Sequence, residues 1–314
     1  MRYLDPKADL TFKKVFGEHT DLVISFLNAM LPFDGPDDEI KEVQYLNPEM
    51  IPHTPFHKDS IVDVRCLDNK GRQFLVEMQM LWTSAYKQRV LFNASKAYVS
   101  QLGKGCDYEL LQPVYSLNLV NDTFSDSENY YHDYRIVENA ETKEVIEGLR
   151  FIFVELPKFT PKSYSDKKMQ VLWLRYLTEI DEHTRVVSQD LLDNPEISKA
   201  VTQLEESAFT EAQLLGYEKF WDIVSTAKMN ISSAIRDGLE RGMKQGLEQG
   251  LEQGLERGMK QGLEQGLEQG LEQGLEQGRQ EERLKLALGM KSAGISVETI
   301  AQLTGLTPAE IAAL

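Results

Sequence analysis

Apolar residues recur at three- and four-residue spacing over residues 11–32, first in Leu10-Thr11-Phe12-Lys13-Lys14-Val15-Phe16-Gly17 and again in Leu22-Val23-Ile24-Ser25-Phe26-Leu27-Asn28. That spacing predicts two short helices broken near Gly17 and stopped by Pro32-Phe33-Asp34-Gly35-Pro36. A strand is expected at Glu42–Leu46, then a loop through Pro48, Pro52 and Pro55. Ser60–Leu67 and Gln73–Met80 alternate apolar and polar positions around Asp68-Asn69-Lys70-Gly71, a strong hairpin signal. An amphipathic helix with a Ser84 N-cap is expected over residues 84–102, closed by Gly103 and Gly105. Val114–Val120 and Leu149–Leu156 have strand character, and helical patterns run from Asp166 to about Asp237, interrupted at Pro195. From Gly238 to Gly278 a glycine then stands at every fourth position, followed by Leu or Met and mostly by Glu-Gln. These shifts divide the chain into an α/β core over 1–160, a helical extension over 161–237, a tetrapeptide repeat over 238–278 and a small helical element over 279–314.

The hairpin register can be derived. A three-residue loop Asn69-Lys70-Gly71, with Gly71 left-handed, pairs Asp68 with Arg72 and so sets Asp63 across from Glu77. Their Cβ atoms would be ~5 Å apart. Even-numbered Val62, Val64, Cys66, Phe74, Val76, Met78 and Met80 form one apolar face, and Asp63, Glu77 and Gln79 share the other. Like charges so placed repel, and a divalent cation relieves them. Mg²⁺, or Mn²⁺, prefers carboxylate oxygen and acidifies its waters for phosphodiester hydrolysis. Gln79, one pleat repeat beyond Glu77, is placed to orient a water or a phosphate oxygen. The same pattern also fits a solvated hairpin face with Arg65 as cross-strand partner.

Charge changes the picture. The 314 residues carry a formal net charge of −16, which excludes a protein that coats nucleic acid non-specifically and leaves only a modest, Mg²⁺-dependent DNA affinity. With 41% hydrophobic and 27% charged residues, neither disorder nor a membrane protein is indicated, and no apolar stretch approaches the ~20 residues a membrane span needs. The charged N-terminus lacks the pattern of a secretory signal, and two cysteines, Cys66 and Cys106, show no CxxC spacing. A cytoplasmic protein is expected.

Phe12-Lys13-Lys14-Val15-Phe16-Gly17 after an Asp, then Val62-Asp63-Val64, Glu77-Met78-Gln79, the helix from Arg89 to Tyr98 and Pro113-Val114-Tyr115-Ser116-Leu117 occur in that order over roughly residues 1–160. Together they resemble the recombination-promoting nuclease family of transposase-like proteins, within the PD-(D/E)XK nuclease superfamily. The resemblance implies a restriction-endonuclease-like α/β core, a central mixed sheet flanked by helices, and Mg²⁺-dependent endonuclease activity on DNA in recombination, mobile-element biology or defence. It assigns Asp63 and Glu77 as metal-binding acids and puts Gln79 where most of the superfamily has Lys; Gln cannot offset negative charge as Lys does. Lys13, Arg89 and Lys96 are candidate phosphate contacts on the flanking helices.

Other features argue less. His53 and His57 are four apart, but Pro52 and Pro55 make a helix between them improbable. The Tyr and Trp residues are too dispersed to argue base stacking. In the repeat, glycine costs ~1 kcal/mol per residue relative to Ala, and the Gly and Leu stripes drift ~40° per repeat at ~100° per residue, so an isolated helix is marginal. Self-association into a homo-oligomer is expected, a flexible acidic spacer being the alternative. The final segment resembles a helix-turn-helix with Thr307 as N-cap, Pro308 at the first helical position and Glu310 at the third, yet no Arg or Lys follows Lys291. Docking or oligomerisation suits it better than groove reading. Two further functional readings are a catalytically weak DNA-binding scaffold, and a nuclease held inactive by its own tail, with Met229, Met243 and Met259 as candidate starts for a separately made tail.

Overall fold

The computed structural model describes residues 2–33, 35–50, 60–161 and 168–314. The loop expected through Pro52 and Pro55, with His53 and His57, falls outside the described residues. The chain separates into two units, Met1–Ile231 and Ser232–Leu314.

In the first unit, α1 (Asp9–Glu18) and α2 (Thr20–Met30) are the two expected helices, parted at His19 beside Gly17. Strand β1 (Val43–Tyr45), a ribbon of β2 (Glu49–Met50) with β3 (Ser60–Ile61), β4 (Val64–Asp68) and β5 (Gln73–Gln79) follow. Helix α3 (Tyr86–Val99) precedes β6 (Val114–Val120), β7 (Tyr131–Val137) and β8 (Val145–Glu155). Among the described residues the main sheet has six strands in the order β1-β4-β5-β6-β8-β7, with β5, β6 and β8 parallel and the remaining pairings antiparallel. This is the mixed central sheet flanked by helices that the resemblance implied. Strand β7 was not legible in the sequence, because an edge strand with mostly exposed residues has little apolar alternation to show.

The hairpin register is as derived: Val64 pairs with Val76 and Cys66 with Phe74, and the Asp68 amide donates to the Arg72 carbonyl at 3.0 Å. Gly71 is left-handed at φ 83. Three expectations need correction. Val62 leaves the even-numbered face and packs with Leu75, Ala94, Ala97 and Val114, because the chain bends at Asp63, where Ser60–Ile61 turns away to pair with Glu49–Met50. The acid-bearing face is not open, since α3 lies over it and Leu75 is fully buried there. Helix α3 starts at Tyr86 after Ala85, and no side chain caps it; Ser84 has no capping role because the Tyr86 amide bonds to the Thr83 carbonyl.

The other face carries the main core. The helix expected from Asp166, itself outside the described residues, is α4 (Met169–Glu179); α5 (Gln189–Leu192) and α6 (Pro195–Thr202) follow. Pro195 is the first residue of α6, where its missing N–H costs nothing, and Asn194 caps it by accepting from the Ile197 amide at 3.0 Å. Trp173 of α4 stands against Phe16 and Phe26, with centroids 5.4 and 5.5 Å away, and its indole donates to Ser25 Oγ. Phe12, Val64, Phe74, Val76 and Leu117 belong to the same cluster, so residues beyond 161 close the core that the sheet opens.

Helix α7 (Glu211–Ser292) begins in the first unit, where Tyr217 packs with Leu4, Ala8 and Phe209. Through the repeat it remains helical, with the Leu and Met stripe at 57% to 75% exposure from Leu239 to Leu275 and nothing within contact of any repeat glycine. In the second unit, α8 (Val297–Thr304) and α9 (Pro308–Ala313) fold back on the end of α7 through Ala287, Ile300 and Ile311. Thr307 and Glu310 form the expected capping box. No described helix is long and apolar enough to cross a membrane.

A Cβ at Gly71 would demand a left-handed alanine and sit 3.0 Å from Gln112 Cγ. Gly71→Ala is therefore expected to lower stability by about 1–2 kcal/mol, read from urea denaturation, without altering the site chemistry.

Candidate active site

Helix α3 and strand β5 build the site between them. Glu77 lies on the odd-numbered face of β5, paired with Asn118 of β6, and is almost entirely buried. Its Oε1 accepts from Asn93 Nδ2 at 2.9 Å and its Oε2 from Arg89 Nη2 at 3.1 Å. Arg89 and Asn93 are one helical turn apart on α3, so both point to the same strand. Ser60 Oγ donates to Asn93 Oδ1 at 2.5 Å, which fixes the amide that faces Glu77.

Asp63 occupies the bend between β3 and β4, one residue past the last ladder rung, and its Oδ2 accepts from the Met78 amide at 2.7 Å. It thus reaches onto β5 beside Glu77. Lys13 of α1 is 4.0 Å from Asp63 Oδ1 and 2.6 Å from Asp9 Oδ1. Burial lifts the Asp63 carboxyl from an ordinary 3.8 to about 6; nearby Glu77 and Asp9 push the same way, while the Met78 amide and Lys13 oppose.

Gln79 was expected to aim its donor at a water or phosphate. Its Nε2 donates instead to the Leu81 carbonyl at 2.6 Å, and its Oε1 accepts from Arg89 Nη2 at 2.7 Å. One guanidinium nitrogen therefore bridges Glu77 and Gln79, while the Arg89 side chain remains 48% exposed and its guanidinium stands 4.6 Å from the Tyr86 ring centroid. Arg65, the alternative partner of the acids, bonds to Gln73 and the Asn47 carbonyl. Of the three phosphate-contact candidates, Lys13 and Arg89 meet the carboxylates, whereas the Lys96 ammonium donates to the Met50 carbonyl.

A family model described as PD-(D/E)XK nuclease family transposase matches residues 6–234. The chain belongs to this family. No curated protein and no solved structure matches it. In this PD-(D/E)XK nuclease family transposase, Asp63 stands on the bend between β3 and β4, and Glu77-Met78-Gln79 closes β5.

Among the described residues no group of three or more His, Cys, Asp or Glu side chains is arranged to hold an ion. Asp63 and Glu77 offer hard oxygen donors of the kind a divalent cation takes. Sequence reasoning missed Asn93, Ser60 and Asp9. The four-residue spacing of Arg89 and Asn93 carried a signal for the first; the others are brought in by tertiary contacts alone.

The folded value of Asp63 lies above its unfolded one, so the metal-free native chain holds this proton more tightly. The associated stability is present below about pH 4 and lost as pH rises through about 6. With EDTA present, Asp63→Asn is expected to become more stable than the parent chain by up to about 3 kcal/mol between pH 4 and 7, measured by urea denaturation. A difference that does not change with pH would show an ordinary carboxyl.

Proposed function

We propose that the chain is a divalent-metal-dependent DNA endonuclease in which Asp63 and Glu77 hold Mg²⁺ or Mn²⁺, and Arg89 supplies the positive charge absent at position 79. The observation that carries this is the single Arg89 nitrogen shared by Glu77 and Gln79. Gln79 acts as a positioning residue: its carbonyl oxygen holds the guanidinium, and its amide is anchored on the Leu81 carbonyl. Arg89 is exposed enough to meet a phosphodiester oxygen and fixed enough to need little reorganisation when it does. Lys13, shared between Asp9 and Asp63, offers a second phosphate contact. Bound at the carboxylates, the ion supplies Lewis acidity toward the phosphodiester and offsets their charge. Family membership supports a nuclease role; action in recombination, mobile elements or defence is the biological setting proposed with it.

Purified chain incubated with supercoiled plasmid is expected to nick it with Mg²⁺ and not with EDTA, and Asp63→Ala is expected to abolish nicking. Arg89→Ala should lower the rate about 100-fold or more, and Gln79→Lys added to it should recover part of the loss. Silence from the intact chain at every Mg²⁺ concentration would leave the scaffold and the tail-inhibited nuclease as the readings, and Arg89→Ala at parental rate would remove arginine from the chemistry.

The repeat of α7 is proposed as the assembly element. Its ten-residue Leu and Met stripe, from Leu239 to Leu275, is uncovered within the chain, and apolar surface of that extent is ordinarily buried on a partner. Because four residues exceed the 3.6 of one turn, the stripe winds right-handedly, and paired copies would cross or supercoil in that sense. Light scattering is expected to give a mass above one chain, falling to one chain when Leu251, Leu255 and Met259 are changed to Glu; a parent chain of single mass would leave the repeat a spacer.

A further inference from the structure

The aromatic residues that are dispersed in the sequence meet beside the candidate active site. Strands β5 and β6 are parallel, so their carboxyl ends leave the sheet together, and the Asn121 amide donates to the Gln79 carbonyl at 2.8 Å. Three residues beyond Gln79 stands Trp82, and four beyond Val120 stands Phe124. Their rings stack at 4.2 Å with 19° between planes. The Trp82 amide is tied to Asp122 Oδ2 at 2.9 Å, which fixes the backbone that carries the indole. Below them Tyr86, Val90, Val120 and Phe153 form a fully buried layer that holds the fold. Trp82 and Phe124 are only partly buried, and Tyr134 of β7 is 39% exposed at the rim.

Lys87 stands over this outer layer. Its ammonium lies 5.0 Å from the Phe124 centroid, 5.2 Å from Tyr134 and 5.8 Å from Trp82, and donates to Tyr134 Oη at 3.3 Å. An exposed cation over a ring is held only weakly, so exchanging the rings for a phosphate is cheap. Tyr86 joins the two regions: its ring centroid lies 5.6 Å from Trp82 and 4.6 Å from the Arg89 guanidinium, which sets the aromatic ledge beside the proposed scissile-phosphate contact. The arrangement combines flat apolar faces, an exposed cation and a position at the carboxyl ends of parallel strands, where α/β sheets commonly take ligands.

We infer that Trp82, Phe124, Tyr134 and Lys87 form a stacking ledge for unpaired nucleotides, so that the preferred DNA carries a single-stranded segment, flap or frayed end next to the bond cut. A base inside a duplex hides its π faces in the stack, whereas an unpaired base presents them to aromatic side chains whatever its identity. The ledge therefore selects DNA structure and not DNA sequence. Lys87 takes the phosphate of the stacked nucleotide. This inference rests on the nuclease reading above for the class of its ligand.

Tryptophan emission of the full chain in EDTA, titrated with an oligothymidylate of about 12 nucleotides and with a blunt duplex of equal length, tests it without cleavage, that length lying in the ~4–16 range of single-strand sites. The oligothymidylate is expected to bind more tightly than the duplex and to quench emission, with the quench absent in Trp82→Phe. Lys87→Ala and Tyr134→Ala, both at exposed side chains, should each weaken oligothymidylate binding about 5- to 100-fold and duplex binding less. A quench that persists in Trp82→Phe, equal affinity for the two DNAs, or equal weakening of both would overturn the ledge. Single-strand binding lost with these variants in a chain that never nicks plasmid would instead sink the nuclease reading and leave the ledge standing.

Discussion

A carboxylate on a central strand under a covering helix has to be partnered, and the candidate site is organised by how Glu77 meets that requirement. Taking a charge out of water is costly unless donors replace the solvent. Helix α3 supplies them from two residues one turn apart, Asn93 to one oxygen and Arg89 to the other. The same contacts hold α3 on the sheet beside the apolar packing of Ala94 and Ala97 on Leu75 and Val114. Arg89 is thereby brought to Gln79, Asn93 to Ser60, and the bend that carries Asp63 is drawn over β5. One buried acid thus orients a helix, a strand and a turn.

The rest of the first unit makes that face rigid from behind. Helices α1, α2, α4 and α6 bury the even-numbered face, with Phe16, Phe26 and Trp173 at its centre. On α1, buried Phe12 and Val15 fix the helix, and Lys13, paired with Asp9, reaches Asp63. The Asp5 carboxyl accepts from the Lys7 amide, the Lys7 ammonium donates to the Leu177 carbonyl, and Tyr217 Oη accepts from the Asp5 amide. The chain start is therefore pinned to both α4 and α7. The role proposed for Arg89 depends on this rigidity, since a cation carried by a neighbouring helix can serve position 79 only where helix and strand cannot shift relative to each other.

The repeat obeys different physics. Its helix has no core beneath it, its glycines contact nothing, and its leucines remain in water. Low intrinsic propensity and an uncovered apolar stripe both make a partner favourable. At the far end, Ala287, Ile300 and Ile311 close a small cluster of their own.

Local rules determined much of this protein before any tertiary contact. The Asp68 to Gly71 turn fixed the β4–β5 register, because a three-residue loop with a left-handed glycine admits one pairing. The Thr307 capping box was equally legible, since it is a matter of four successive residues, Thr307 to Glu310. Family membership was readable from motif order over the first 160 residues and is matched over residues 6–234. Tertiary structure decided what needed contacts distant in sequence. Val62 changed face because β3 left the hairpin for β2, a pairing that alternation cannot encode. Strand β7 formed at an exposed edge by hydrogen bonds to β8, with no apolar pattern to announce it. Gln79 found its cation on another element, and Trp82 met Phe124 because two parallel strands end side by side. Periodicity along a chain records which face a residue turns to the core; only packing records which neighbour it meets there.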